Sequence, residues 1–226
     1  MILRISLLCM LMSFATASAR AQSTYTDAFH SGANEYQVWA GYSPGSITWI
    51  GKSEARRIFQ TGAGWRRVLL ATDQIAWKYT VDIVPLALVS QPTINGVEVV
   101  PDPKHLFFPA VCAPIACGVT IGRRTTYGVG FAPIGFEFNF RRKHRVQPVA
   151  GINGGLLRFS REVPIPNSAS INFTFSLGAG LEIFTSESRS VTIGYRYHHT
   201  SNADSGTPFN PGIDSNFISA GYSFHR

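Results

Sequence analysis

The sequence predicts an all-β protein: an eight-stranded antiparallel transmembrane β-barrel of the outer membrane. Three observations carry that prediction. Apolar and polar residues alternate along most of the chain, most strictly over Ser170–Thr185, with little sign of a helical period. Connections between the alternating runs are short and long in turn, as short periplasmic turns and long external loops would be. An export signal opens the chain, and no later segment reaches the roughly 18 uninterrupted apolar residues that a membrane helix needs.

Residues 1–21 read as a signal peptide. Arg4 supplies the basic start, Ile5–Phe14 the apolar run, and Ala19-Arg20-Ala21 a small-x-small cleavage site. Residues 22–226 then form a single barrel domain. Cleavage removes two of the 20 basic residues and none of the 13 acidic ones, so the exported chain stays mildly basic. That charge suits anionic lipid headgroups, and export argues against nucleic acid.

The strands follow in order. Glu35–Tyr42 alternates around Tyr36, Val38, Ala40 and Tyr42, and Ser43-Pro44-Gly45 ends it. Ser53–Leu70 forms a second, less regular strand, and 71–74 a turn. From Ile75 to Ser90, Trp77, Tyr79, Val81 and Ile83 share one face, and Lys78, Thr80 and Asp82 the other. Gln91–Arg123 holds five prolines and does not alternate, so it reads as an extended external loop. Thr125–Phe140 and Val146–Phe159 flank the basic turn 141–145, and Pro164 and Pro166 mark the next loop. In Ser170–Thr185, Ile171, Phe173, Phe175, Leu177, Ala179, Leu181 and Ile183 face one way, and the intervening, mostly polar residues face the other. Such a run is long for a soluble strand and suits a tilted, bilayer-crossing one. A soluble barrel or sandwich would reuse the same faces as a core. The chain ends Phe224-His225-Arg226, and not on the aromatic residue usual for outer-membrane barrels.

Cys9 leaves with the signal. Cys112 and Cys117 remain as a disulfide candidate within one loop, since export favours oxidation. No cofactor is expected, and no metal site, because no cluster has convincing ligand spacing. Lumen-facing Lys78, Asp82, Glu182 and Arg196 should form an internal polar network.

The chemistry gathers in the last two strands. His199 and Ser201 lie two apart and so share a face with Val191, Ile193, Tyr195 and Tyr197, while Asp214 opens the next strand on the face of Ile218 and Tyr222. Strand parity places all three at the outer rim, facing lipid. A serine hydroxyl needs a base to become a nucleophile, and a carboxylate can hold that base in the right tautomer. Facing residues on paired strands lie about 5 Å apart at Cβ, within reach of such a relay. Asn202 and Asn210 are candidate oxyanion or substrate-binding donors. His198 points inward by parity and reads as structural.

His199-Thr200-Ser201-Asn202 and Asn210-Pro211-Gly212-Ile213-Asp214 resemble the C-terminal signature of the lipid A 3-O-deacylases, the PagL-type outer-membrane esterases. That family carries His-x-Ser-Asn on strand seven and Asn-x-Gly-x-Glu leading into strand eight. The resemblance implies Ser201 as nucleophile, His199 as base, Asp214 in the place of the orienting glutamate, and Asn210 at the oxyanion hole. The chain departs from the pattern in its acid, one methylene shorter, and in a connecting loop one residue longer.

The expectation is therefore an outer-membrane serine esterase acting on the 3-O-linked acyl chain of lipid A, the membrane-embedded part of lipopolysaccharide in the outer leaflet. External basic residues such as Lys52 and Lys104 would attract its phosphates. Homodimer formation is left open. The alternatives are a non-enzymatic structural or adhesive barrel, and a phospholipase or general acyl esterase on the same scaffold.

Overall fold

Among the described residues of the computed structural model, nine strands make one antiparallel sheet, and eight of them close it into a barrel. The structure describes residues 27–99, 117–204 and 210–226. The signal segment, Cys112 and Lys104 lie outside those residues. A single 3-10 turn, η1 (Asp27–Phe29), precedes β1 (Asn34–Ser43) and the two-residue β2 (Ser46–Ile47). There follow β3 (Arg57–Ala71), β4 (Ile75–Val99), β5 (Cys117–Phe140), β6 (Val146–Phe159), β7 (Ile171–Ser186), β8 (Arg189–Ser201) and β9 (Ile213–His225). Consecutive long strands pair with one another, and β1 pairs with β9 from Glu35↔His225 to Tyr42↔Ile218, which leaves no open edge in the cylinder.

Alternation decides which residues face outward. On β4, Lys78, Thr80 and Asp82 are buried in the lumen while Trp77 and Ile83 are exposed, and on β7 Asn172, Ser176 and Glu182 are buried while Phe173, Phe175, Leu177 and Leu181 are exposed. An exterior this apolar is a liability in water and a requirement in hydrocarbon.

The expected loop 91–123 is corrected at both ends. Pairing continues from Gln91↔Arg124 to Val99↔Cys117, so β4 and β5 run on as a long hairpin and only residues 100–116 stay outside the described elements. Alternation fails there for a physical reason. Where neither face of a ribbon is set against a lumen or a bilayer, nothing selects apolar residues at every second position.

Three layers fill the lumen. At the end that holds η1 and Arg226, Phe29 packs edge-on against Phe184, with centroids 5.6 Å apart, over Val68 and Ala76. In the middle, Lys78 Nζ lies 2.7 Å from Glu35 and 2.6 Å from Glu137, and Arg66 pairs with Asp82 at 3.7 Å. The expected internal network is present, with Glu35, Arg66 and Glu137 as additional members. Arg196 takes a different partner and stacks over Trp39 at 4.4 Å. Toward the opposite end Trp39, Ile58, Val89, Phe159, Ile213 and Phe217 form an apolar cluster. This last layer lies directly behind the ends of β8 and β9.

Candidate functional site

Register brings the predicted residues together. β8 and β9 pair with His199 directly opposite Asp214, and Ser201 ends β8 two residues further on. This is the end of the barrel away from η1 and Arg226, since Arg189, at the start of β8, pairs with Phe224. His199 Nδ1 lies 2.6 Å from Asp214 Oδ1. A carboxylate only accepts, so the imidazole proton belongs on Nδ1 and Nε2 is left free to act as a base. The aspartate's short arm suffices because the two residues are true cross-strand partners.

Asp214 is fully buried although it lies on the outward face of β9. The connection between β2 and β3 covers it. The peptide N–H groups of Trp49, Ile50 and Gly51 all donate to Asp214 Oδ2, at 2.9, 2.5 and 2.9 Å. This segment is zipped to the residues before β9: Lys52 N–H donates to the Pro211 carbonyl, and Ser53 N–H to that of Gly212 at 3.1 Å. The two backbones lie so close that a Cβ on Gly51 would stand 2.9 Å from the Gly212 carbonyl carbon. Gly212 also has φ +56°, and a Cβ there would meet His199 Cε1 at 3.0 Å. Sequence reasoning missed residues 49–51 entirely. Their contribution is made by peptide groups, which leave no side-chain signature; Gly51 was the one visible hint.

Ser201 Oγ accepts from Asn210 Nδ2 at 2.6 Å and from the Ala203 N–H at 3.1 Å. The Asn210 amide is oriented by its own oxygen, which accepts from Gly212 N–H at 3.2 Å. Ala203 and Asp204 both adopt left-handed φ values, 52° and 56°, and this turn folds the Ala203 N–H back onto the serine. No hydrogen bond joins Ser201 to His199 among the described residues. Such contacts are often long in unliganded sites and tighten with substrate. Asn202 departs from expectation: it is fully buried, like the inward-facing Thr200 and His198, and its Oδ1 accepts from Asp204 N–H at 3.0 Å. Its side-chain oxygen thereby holds the turn that follows Ser201. His198 is also inward, its Nδ1 2.7 Å from Ser176 Oγ.

Apolar side chains surround the outward-facing trio. Phe173 and Phe175 on β7 pair with Ser201 and His199, and Trp49 packs edge-on against Tyr197 with centroids 5.0 Å apart. Lys52 is exposed beside them. Glu35, Glu182 and His225 come within metal-ligating distance of one another near the terminal end. Lys78, 2.7 Å from Glu35 and 3.8 Å from Glu182, already supplies the positive charge that such a site would take from an ion.

Residues 117–223 match the model of the lipid A 3-O-deacylase (PagL) family, which bears out the resemblance drawn from the C-terminal motifs. Among solved structures, the outer membrane enzyme PagL superimposes with a TM-score of 0.55 at 17% identity, over 82% of this chain and 97% of that one. The outer membrane protein OprG from Pseudomonas aeruginosa is similar at a TM-score of 0.46 and 13% identity, over 88% of this chain and 99% of that one. No curated protein matches the sequence. The likeness to PagL establishes the fold as that of the small outer-membrane barrels.

Proposed function

We propose, from the family match over residues 117–223 and the arrangement of His199, Ser201 and Asp214, that this chain is an outer-membrane serine esterase removing the 3-O-linked acyl chain of lipid A. The observation that carries the reading is the 2.6 Å His199–Asp214 bond on the outward face, two residues from a serine whose oxygen already gathers two N–H donors. A passive barrel has no need of an acid, a base and a hydroxyl aligned on one outward face.

In this mechanism His199 Nε2 takes the Ser201 proton as Oγ attacks the ester carbonyl carbon. Asn210 and the Ala203 N–H, the donors nearest the reacting atoms, stabilise the oxyanion. Collapse of the tetrahedral intermediate breaks the ester C–O bond, and His199 returns the proton to the departing sugar 3-hydroxyl. Water, deprotonated by the same imidazole, then cleaves the acyl-serine and frees the fatty acid. Asp214 keeps Nδ1 protonated throughout and stabilises the imidazolium. The site opens at the end away from the termini, so with both termini periplasmic it meets the outer leaflet. Residues 1–21 direct the export that this location requires.

Ser201→Ala should fold into the barrel and release no acyl chain from lipopolysaccharide. Mass spectrometry of lipid A from cells with and without the protein checks this: loss of one 3-linked hydroxyacyl chain is the expected result. Undiminished release by Ser201→Ala would remove the serine from the mechanism, and fatty acid liberated only from phospholipid would reassign the substrate.

A further inference from the structure

The segment that covers Asp214 has a second face. Trp49 and Ile50 donate their peptide N–H groups inward to the carboxylate, while their side chains are 67% and 54% exposed. Trp49 continues outward from Tyr197, which itself packs edge-on against Phe175 at 6.2 Å. An aromatic ledge thus runs beside His199 from β7 to the β2–β3 connection.

The inward face is an anion cradle. Three successive N–H groups converge on one oxygen, leaving the other for the imidazole. With Oδ2 held at three points, rotation of the carboxylate is suppressed and Oδ1 stays aimed at Nδ1. The cradle docks on residues 211–215 through Ser53 N–H to Gly212, the Gly51–Gly212 contact, and the pairing of Ser46 and Ile47 with Ser215 and Asp214, and Ser46 Oγ closes the segment on itself by donating to the Ser53 carbonyl at 2.5 Å. An apolar chain lying across Trp49 and Ile50 would press the segment toward Asp214.

Building on the esterase reading, we infer that Trp49–Gly51 is a positioning strap: its peptide groups fix the acid, and its two apolar side chains receive the acyl chain to be removed. Substrate binding and the alignment of the His199–Asp214 pair are then one event.

Gly51→Ala tests the inward face, because its Cβ must lift the strap from the Gly212 backbone. kcat on lipopolysaccharide should fall about 10²-fold, the scale of a 1 Å misplacement. In an Asp214→Asn background the same substitution should cause no further loss. A neutral Gly51→Ala, or an equal loss without the aspartate, would overturn the proposal. If Gly51→Ala does not fold, Ile50→Pro carries the same test by deleting one of the three donors. For the outward face, Trp49→Ala should lower the ratio of kcat/KM for long-chain over short-chain esters about tenfold, the scale of a few lost apolar contacts; an unchanged ratio overturns the acyl contact. Spectra of protein labelled with ¹⁵N-histidine separate this proposal from the esterase reading. The hydrogen-bonded Nδ1 proton of His199 should be visible in the parent and absent in Gly51→Ala. A parent that cleaves no ester yet shows that strap-dependent proton loses the enzyme reading and keeps the strap; its absence from the parent sinks the strap.

Discussion

Asp214 is where this chain departs from the family pattern it resembles, and the geometry explains the shorter acid. A residue directly across from His199 needs only an aspartate's length to bring Oδ1 within 2.6 Å of Nδ1. The far oxygen is already in contact with three peptide N–H groups. An added methylene, about 1.5 Å, would drive the carboxylate into that cradle or away from the imidazole. Restoring the family's acid with Asp214→Glu should therefore lower kcat by about 10–10²-fold, by displacing an orienting group. Steady-state kinetics decide this, and a variant as active as the parent would mean the acid is not matched in length to its surroundings. Asp214→Asn should be more severe, on the order of 10³–10⁴-fold, because an amide that can donate to Nδ1 favours the wrong tautomer.

At the scale of the strand, the alternation that builds the barrel also sorts adjacent histidines into different roles. His199 faces outward against Asp214, while His198 is 5% exposed, bonded to Ser176 and packed edge-on against Phe217 in the lumen. His199→Gln should abolish ester cleavage with the barrel intact. His198→Gln should keep kcat within about twofold and cost about 1–3 kcal/mol of stability, the price of an altered buried hydrogen bond. Paired assays and denaturant titrations check it; loss of activity in His198→Gln without loss of stability would show that the inward histidine takes part in the chemistry. Both orientations were legible in the sequence because period two is stated residue by residue, and the eight long strands were legible for the same reason. Asn202 obeys the same parity as His198, so its inward turn is legible from the sequence. The extension of β4 and β5 through 91–99 and 117–123 was not legible, since a ribbon with no buried face carries no alternation. Nor was the strap, whose donors are peptide groups that every residue but proline possesses.

Across the whole molecule, His199, Ser201 and Asp214 stand on the outside of a cylinder whose inside is filled. That division follows from the small number of strands, because an eight-stranded barrel has room for side chains and none for a wide channel. The lumen holds a cavity of only about 100 Å³, bordered by Trp39, Arg66, Asp82 and Arg196. Below it Lys78, wholly buried, bridges Glu35 and Glu137, which come from β1 and β5 on different parts of the wall. One ammonium thus ties distant strands together through the interior, while the ladder ties only neighbours. Lys78→Met keeps the bulk and deletes the charge, leaving buried Glu35 and part-buried Glu137 with only the longer Arg66 ion pairs of 3.9 and 3.8 Å among the described residues. Such a break costs about 3–5 kcal/mol. The denaturant midpoint of the detergent-folded barrel should fall accordingly, and Glu35→Gln with Glu137→Gln in the Lys78→Met background should recover much of the loss by removing the stranded charges. Below its midpoint the Lys78→Met protein should cleave ester at the parent's rate, because the network lies in the middle of the lumen and the apolar layer of Trp39, Ile213 and Phe217 separates it from the site. An unchanged midpoint would mean that the ladder alone holds the cylinder. A normal midpoint with impaired catalysis would instead mean that the lumen communicates with the outer face.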